Sequence, residues 1–147
     1  MRAVVTRVSS ASVEIDGVVT GKIEEGFLVL LGIKNGDTEI EAKKLAAKVC
    51  NMRVFSDSDG KMNLDLNAIN GKILVISQFT LFADCKSRRP GFTLAARPDV
   101  AIPLYELFVD ECRSAGFTVE TGEFGAMMNV SSVNAGPVTI LLDTEEM

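Results

Sequence analysis

Residues 13–20 read Val13-Glu14-Ile15-Asp16-Gly17-Val18-Val19-Thr20. Two β-branched runs flank Asp-Gly, a pair that supplies the positive φ angles of a tight two-residue turn, so a β-hairpin is expected here. Ala3 to Val8 reads as a strand before it. After it, Phe27 to Ile33 (FLVLLGI) is a continuous apolar run between Gly26 and Asn35-Gly36, the pattern of a central strand covered on both faces. Thr38 and Glu41 then have capping-box spacing. Ala42, Leu45, Ala46, Val49 and Cys50 follow on one stripe, which predicts a helix whose charged side (Glu39, Lys43, Lys44, Lys48) faces water.

Met52 to Phe55 reads as a short strand and Ser56-Asp57-Ser58-Asp59-Gly60 as a polar turn. Lys72 to Ile76 is a second buried strand. Residues 84–98 (DCKSRRPGFTLAARP) form an irregular basic segment before a second helix, Asp99 to Ala115, with Leu104, Leu107, Phe108 and Cys112 as its stripe. Gly116 is placed to stop that helix, and Pro103 fits only in its first turn. Phe117 to Thr121, Met127 to Val133 and Val138 to Leu142 complete the strands. The order is a run of strands, helix, two strands, helix, three strands, which disfavours a doubly wound α/β sheet. The expectation is an α+β fold: a curved, mostly antiparallel sheet or barrel with two covering helices, in a single domain spanning 1–147.

The 147 residues contain no histidine. That removes Ser-His-Asp and Cys-His nucleophile systems, HExxH zinc sites and the usual imidazole base together. The net charge of −5 argues against a protein that neutralises many phosphates along a duplex, so extensive DNA contact is not expected. Cys50, Cys85 and Cys112 are odd in number and widely spaced, and read as reduced, mostly buried thiols rather than a disulfide framework or zinc site. Asp57, Asp59 and Asp65 do not complete an EF-hand pattern, so neither metal nor other cofactor is expected. The longest wholly apolar stretch, Phe27 to Leu31, is far short of the roughly 20 residues of a membrane span. Met1-Arg2-Ala3 leads straight into a strand pattern, so the cytoplasm is the expected address.

Ser77, Gln78 and Thr80 place two hydroxyls and an amide just past a buried strand, where main-chain N–H groups become free to meet a ligand oxygen. Period-2 alternation equally reads SQFTL as more strand, with Phe79 and Leu81 inward. Asn134-Ala135-Gly136-Pro137 reads as a turn between two strands. It has a second use: a cis X–Pro bond turns consecutive carbonyls to one side, making a double acceptor suited to an ammonium group. Lys86, Arg88, Arg89 and Arg97 are the only local cationic excess. They suit a few phosphate contacts or a solvated loop.

Taken together, MRAVVTRVSSASV at the start, SQFTLFADCKSRRPGF in the middle and FGAMMNVSSVNAGPVT near the end resemble, in order and spacing, the D-aminoacyl-tRNA deacylase (D-tyrosyl-tRNA deacylase) family. The resemblance covers essentially the whole chain. It implies a homodimeric hydrolase that cleaves the ester between a D-amino acid, or mischarged glycine, and the terminal adenosine of tRNA, sparing L-aminoacyl-tRNA. It further implies that Gly136 and Pro137 are joined in cis and enter the partner subunit's active site, offering carbonyls to the substrate α-amino group and crowding the place of an L side chain. By the same resemblance Ser77, Gln78, Phe79 and Thr80 line the catalytic pocket and Arg7 steadies the Gly-Pro loop. Lys86, Arg88 and Arg89 are the candidate tRNA contacts.

Two mechanisms go with the family: Thr80 as nucleophile, or assistance from the ribose 2′-hydroxyl with main-chain N–H groups near Phe79 and Thr80 orienting the reactants. With no histidine in the chain and no lysine beside the motif, the second is favoured. Two positions depart from the family pattern. Ala135 stands where aspartate is usual, removing a side chain that could hold the turn, and Ser132 stands where a larger apolar residue is common. The competing readings are a noncatalytic dimeric binder of aminoacyl-tRNA ends and a general esterase using Thr80 or Cys85.

Overall fold

Thr38 shows how closely local chemistry dictates the elements. In the computed structural model, which describes all 147 residues, Thr38 Oγ1 accepts from Ile40 N–H at 3.3 Å and the Glu41 carboxylate accepts from Thr38 N–H at 2.6 Å. That starts helix α1 (Glu39–Asn51), which buries Ala42, Leu45, Ala46, Val49 and Cys50, the five residues of its apolar stripe. The strands before it are β1 (Arg2–Ile15), β2 (Val18–Ile23) and β3 (Gly26–Gly32). Asp16 and Gly17 take φ values of 49° and 80°, the primed turn that joins β1 to β2. After α1 come β4 (Phe55–Ser56), β5 (Met62–Leu64), β6 (Lys72–Ser77), helix α2 (Pro98–Ser114), β7 (Val119–Thr121) and β8 (Asn129–Asp143).

The main sheet runs β2-β1-β3-β6-β7, with β8 added on β1. Pairs involving β1 are antiparallel, whereas β3/β6 and β6/β7 are parallel, so the sheet is mixed and curls toward a barrel. Two apolar clusters explain the continuous apolar runs. Phe27, Val29 and Leu31 of β3, with Ile73 and Val75 of β6, face Leu45 and Val49 of α1 and Phe108 of α2. The alternate residues Leu28, Leu74 and Ile76 face inward with Val8, Ala11, Val13 and Ile23. Both faces of β3 and β6 are therefore buried.

Four expectations change in detail. The first strand and the hairpin's first arm are one 14-residue strand, because register shifts between Thr6 and Ser10 absorb the serine-rich stretch without ending the pairing. The last two strands likewise merge, and Asn134 to Pro137 is a bulge inside β8 rather than a turn between strands. Thr139 pairs with Thr6 while Asn134 pairs with Val8, so β8 spends three extra residues there. With β5 added, the order becomes three strands, helix, three strands, helix, two strands. Helix α2 starts at Pro98, so Pro103 lies in its second turn, where it faces solvent and removes one helical donor. Gly116 (φ 99°) ends α2 with Gly116 N–H bonded to Arg113 O and Phe117 N–H to Cys112 O, a Schellman motif.

Long-range polar contacts tie the ends together. The Met1 ammonium is fully buried, 3.0 Å from the Asp37 carboxylate and 2.9 Å from Thr144 Oγ1. Tyr105 OH donates to Val75 O at 2.8 Å, pinning α2 to β6 two residues before its end, and burial pushes that phenol up to about 12. Cys50 and Cys112 are buried between the helices and Cys85 is exposed. The hydrogen bond to Cys50, with burial, pushes the Cys112 thiol up. No helix is long and apolar enough to cross a membrane.

Candidate active site

Ser77 is the last residue of β6, paired with Leu31, and Gln78 N–H still reaches Leu31 O at 2.8 Å. The chain then leaves the sheet and tightens into a 3-10 turn, Phe79–Phe82, closed by Leu81 N–H on Gln78 O and Ala83 N–H on Thr80 O. SQFTL is thus not a continuing strand. Phe79 is 55% exposed, and Phe82, at the turn's end, is the aromatic that goes into the core. The amides of Phe79 and Thr80 precede the turn's first i→i−3 bond and so have no acceptor within it. Gln78 Nε2 donates to Thr80 Oγ1 at 2.5 Å. An amide donor cannot take a proton from that hydroxyl.

A cavity of about 290 Å³ opens beside this exit, lined by Ser77, Gln78 and Phe79 and, opposite, by Phe124, Met127 and Met128. It is mostly apolar, with the polar edge of the strand exit on one side, a lining of the kind that holds small ligands.

The Gly136–Pro137 peptide is cis and exposed. Arg7, reaching across from β1, fixes the chain before it: Nε donates to Ala135 O at 3.0 Å and Nη1 to Val54 O at 2.7 Å. A Cβ at Gly136 (φ 122°) would lie 2.7 Å from Arg7 Nη2, so glycine is what lets the guanidinium lie against the loop. The two departures from the family pattern find their places here. The loop is held through the main-chain carbonyl of residue 135, which alanine supplies as well as aspartate, and Ser132 Oγ donates to Asn134 Oδ1 at 2.7 Å.

Within one chain these two groups do not meet. Gly136 and Pro137 belong to β8, separated from β6 by β1 and β3, and neither lines the cavity beside Ser77. The basic segment is closer to that cavity. Asp84 and Gly91 exchange backbone bonds of 2.7 and 2.8 Å, closing a loop that presents Lys86, Arg88 and Arg89 to solvent, none within 4 Å of a carboxylate. Asp57 spends its carboxylate on Asn63 Nδ2, Lys61 N–H and Asp59 N–H, bonds that hold it below the usual carboxylate range.

Sequence reasoning missed several residues that stand around the site. Arg2 donates to Asp143 at 2.7 Å and to Leu81 O at 3.0 Å, and its guanidinium sits 4.7 Å from the Phe82 ring centre, bracing the end of the 3-10 turn. Phe92 packs edge-to-face on Phe79, ring centres 5.1 Å apart. Neither carries a local signal, since both act across more than ten residues of chain. The methionines of FGAMM, of which Met127 is exposed and Met128 half-buried, had one: two adjacent apolar side chains in a glycine-flanked loop.

Comparison with known proteins identifies the chain's relatives. The family described as D-Tyr-tRNA(Tyr) deacylase matches residues 4–143. A D-aminoacyl-tRNA deacylase of Thermosipho africanus (strain TCF52B) is 54% identical, with 100% of this chain and 99% of the relative covered. One from Thermus aquaticus is also 54% identical, covering 99% and 97%. Among solved structures, a c-Myc DNA Unwinding Element Binding Protein superposes with a TM-score of 0.92 at 39% identity, over 97% of this chain and 98% of the other. A probable eukaryotic D-amino acid tRNA deacylase shares the fold, with a TM-score of 0.81 at 15% identity over 96% and 97%.

Proposed function

Since the chain belongs to the D-Tyr-tRNA(Tyr) deacylase family, and is accordingly an ester hydrolase acting on D-aminoacyl-tRNA, we propose that it works as a homodimer whose Gly136-Pro137 loop completes the partner's cavity. The observation that carries this reading is the separation of the two motifs. The loop projects outward on β8 while the cavity opens at the end of β6, so a second copy supplies what each chain lacks. β8 pairs only with β1, and Val133 and Leu141 stand exposed along it, as a face awaiting a partner would. The cytoplasm, where charged tRNA is found, is the corresponding location.

In this reading the terminal adenosine occupies the cavity beside Ser77, Gln78 and Phe79. The carbonyls of Gly136 and Pro137 accept the substrate's α-ammonium, and their backbone occupies the space an L side chain needs. Selection then works by exclusion, and glycine, having nothing to exclude, is hydrolysed too. Water attacks the ester carbonyl, the bond to the ribose 3′-oxygen breaks, and the products are the free amino acid and tRNA with its hydroxyl restored. Phe79 and Thr80 N–H groups hold the carbonyl and the 2′-hydroxyl, which assists the departing oxygen. Thr80 as nucleophile finds less support, because its hydroxyl is hydrogen-bonded to an amide and to no base.

The test is incubation with D- and L-tyrosyl-tRNA and a simple aryl ester. Rapid loss of the D-charged tRNA alone is expected. No loss would mean a binding module, and indifference to the tRNA would mean a general esterase. Thr80→Ala is expected to retain most single-turnover activity, whereas replacing the terminal 2′-hydroxyl by hydrogen abolishes it. A fall of several orders of magnitude in Thr80→Ala, with the fold intact, rejects the substrate-assisted route.

A further inference from the structure

Phe79 and Phe92 are large aromatic side chains left substantially in solvent, 55% and 38% exposed, and they touch each other. Solvent-facing phenylalanines in contact call for an explanation. Their setting is built. Phe92 follows the Asp84–Gly91 closure directly, and the chain beyond it is stitched down by Asn35 N–H on Leu94 O and Ala96 N–H on Ile33 O, both 2.9 Å. Asn35 Nδ2 adds a bond to Thr93 O at 2.8 Å. The ring is therefore held by its backbone frame on both sides without being buried.

Their order is the informative part. Phe79 lines the cavity, Phe92 packs on Phe79 without lining it, and the loop that Asp84 and Gly91 close, ending one residue before Phe92, carries Lys86, Arg88 and Arg89, none paired with a carboxylate. A track thus leads from a cavity, over an aromatic pair, to uncompensated cations. Single-stranded nucleic acid is recognised by this combination: bases stack on aromatic faces while the backbone follows positive charge. The interplanar angle of 77° means the rings meet edge to face, so the pair leaves ring surface for a third partner.

We infer that Phe92, with Phe79, forms a stacking platform for the base of the cytidine immediately preceding the terminal adenosine. This rests on the reading that the adenosine enters the cavity beside Phe79. Phe92 is then a positioning residue that registers the 3′ end, and the next phosphates run toward Lys86, Arg88 and Arg89. An acidic protein can hold tRNA in this way because stacking supplies affinity that phosphate contacts would otherwise have to supply.

The test compares D-tyrosyl-tRNA with D-tyrosyl-adenosine, which lacks the cytidine. Phe92→Leu keeps apolar bulk but loses the ring. It is expected to raise KM for the tRNA roughly tenfold, the scale of one lost base–aromatic stack, with kcat unchanged and no rise in KM for D-tyrosyl-adenosine. Phe92→Tyr should restore the wild-type KM. Equal effects on both substrates, or none on either, overturn the proposal, as does conversion of a dimer to monomers by Phe92→Leu, which would make the patch an interface between copies. Independently of catalysis, tRNA carrying 4-thiouridine at the penultimate position should photocrosslink to the peptide containing Phe79 or Phe92, and crosslinking elsewhere overturns it. If wild-type protein leaves D-tyrosyl-tRNA intact, the enzymatic reading falls and the crosslink alone decides the platform.

Discussion

Arg7 is the residue through which three distant stretches become one device, since its guanidinium holds the carbonyls of Ala135 and Val54 at once. A lysine ammonium cannot span two acceptors in that planar fork. Arg7→Lys should therefore leave the fold intact while loosening the loop, and the D:L ratio of hydrolysis rates should fall about tenfold, the worth of one charge-assisted hydrogen bond. Equal rates of decline on both substrates would separate Arg7 from discrimination. Asp143 is a second test at this scale. Burial would raise its carboxyl, but hydrogen bonds from Arg2 and from Glu145 N–H outweigh that and hold it below the usual range. A depressed folded-state pKa contributes stability that is present above the unfolded value, near 3.9, and is lost as pH falls through the folded one. Denaturant titrations between pH 5 and 2 should show a shallower acid loss for Asp143→Asn than for the parent, and parallel curves would refute it.

Elements whose chemistry is local were legible before the fold was known. The Asp16-Gly17 turn, the capped α1 with its five buried stripe residues, and the Gly116 stop each follow from neighbours within a few positions. Thr38→Ala removes the capping oxygen and should cost about 1 kcal/mol, which for a chain of this length is a fall of about 2–4 °C in Tm by calorimetry. A cap contributing nothing would leave Tm unmoved. Elements defined by partners were not legible. Whether Asn134 to Pro137 turns the chain or bulges from a strand depends on β1 lying alongside both flanks, which no window of β8 contains. The inward-or-outward question at SQFTL was likewise decided by Phe82, which took the core position that alternation had offered to Phe79 and Leu81.

At the scale of the molecule, a mixed sheet with β1 at its hub places one candidate group at the end of β6 and the other on the flank of β8. Family resemblance named both groups from the sequence, but nothing in composition or spacing said that they would stand apart in one chain. That separation has a genetic consequence. If each site draws its cavity from one copy and its loop from another, two differently broken chains can repair each other. Gly136→Val, whose side chain meets Arg7 at a strained backbone position, damages only the loop, and Ser77→Trp obstructs only the cavity. Co-expressed in equal amounts, they form mixed pairs in half of all assemblies. Each mixed pair has one wholly sound site of two, so about a quarter of parental activity should return from two inactive parents. Such complementation is the signature of a catalyst that no single gene product carries whole.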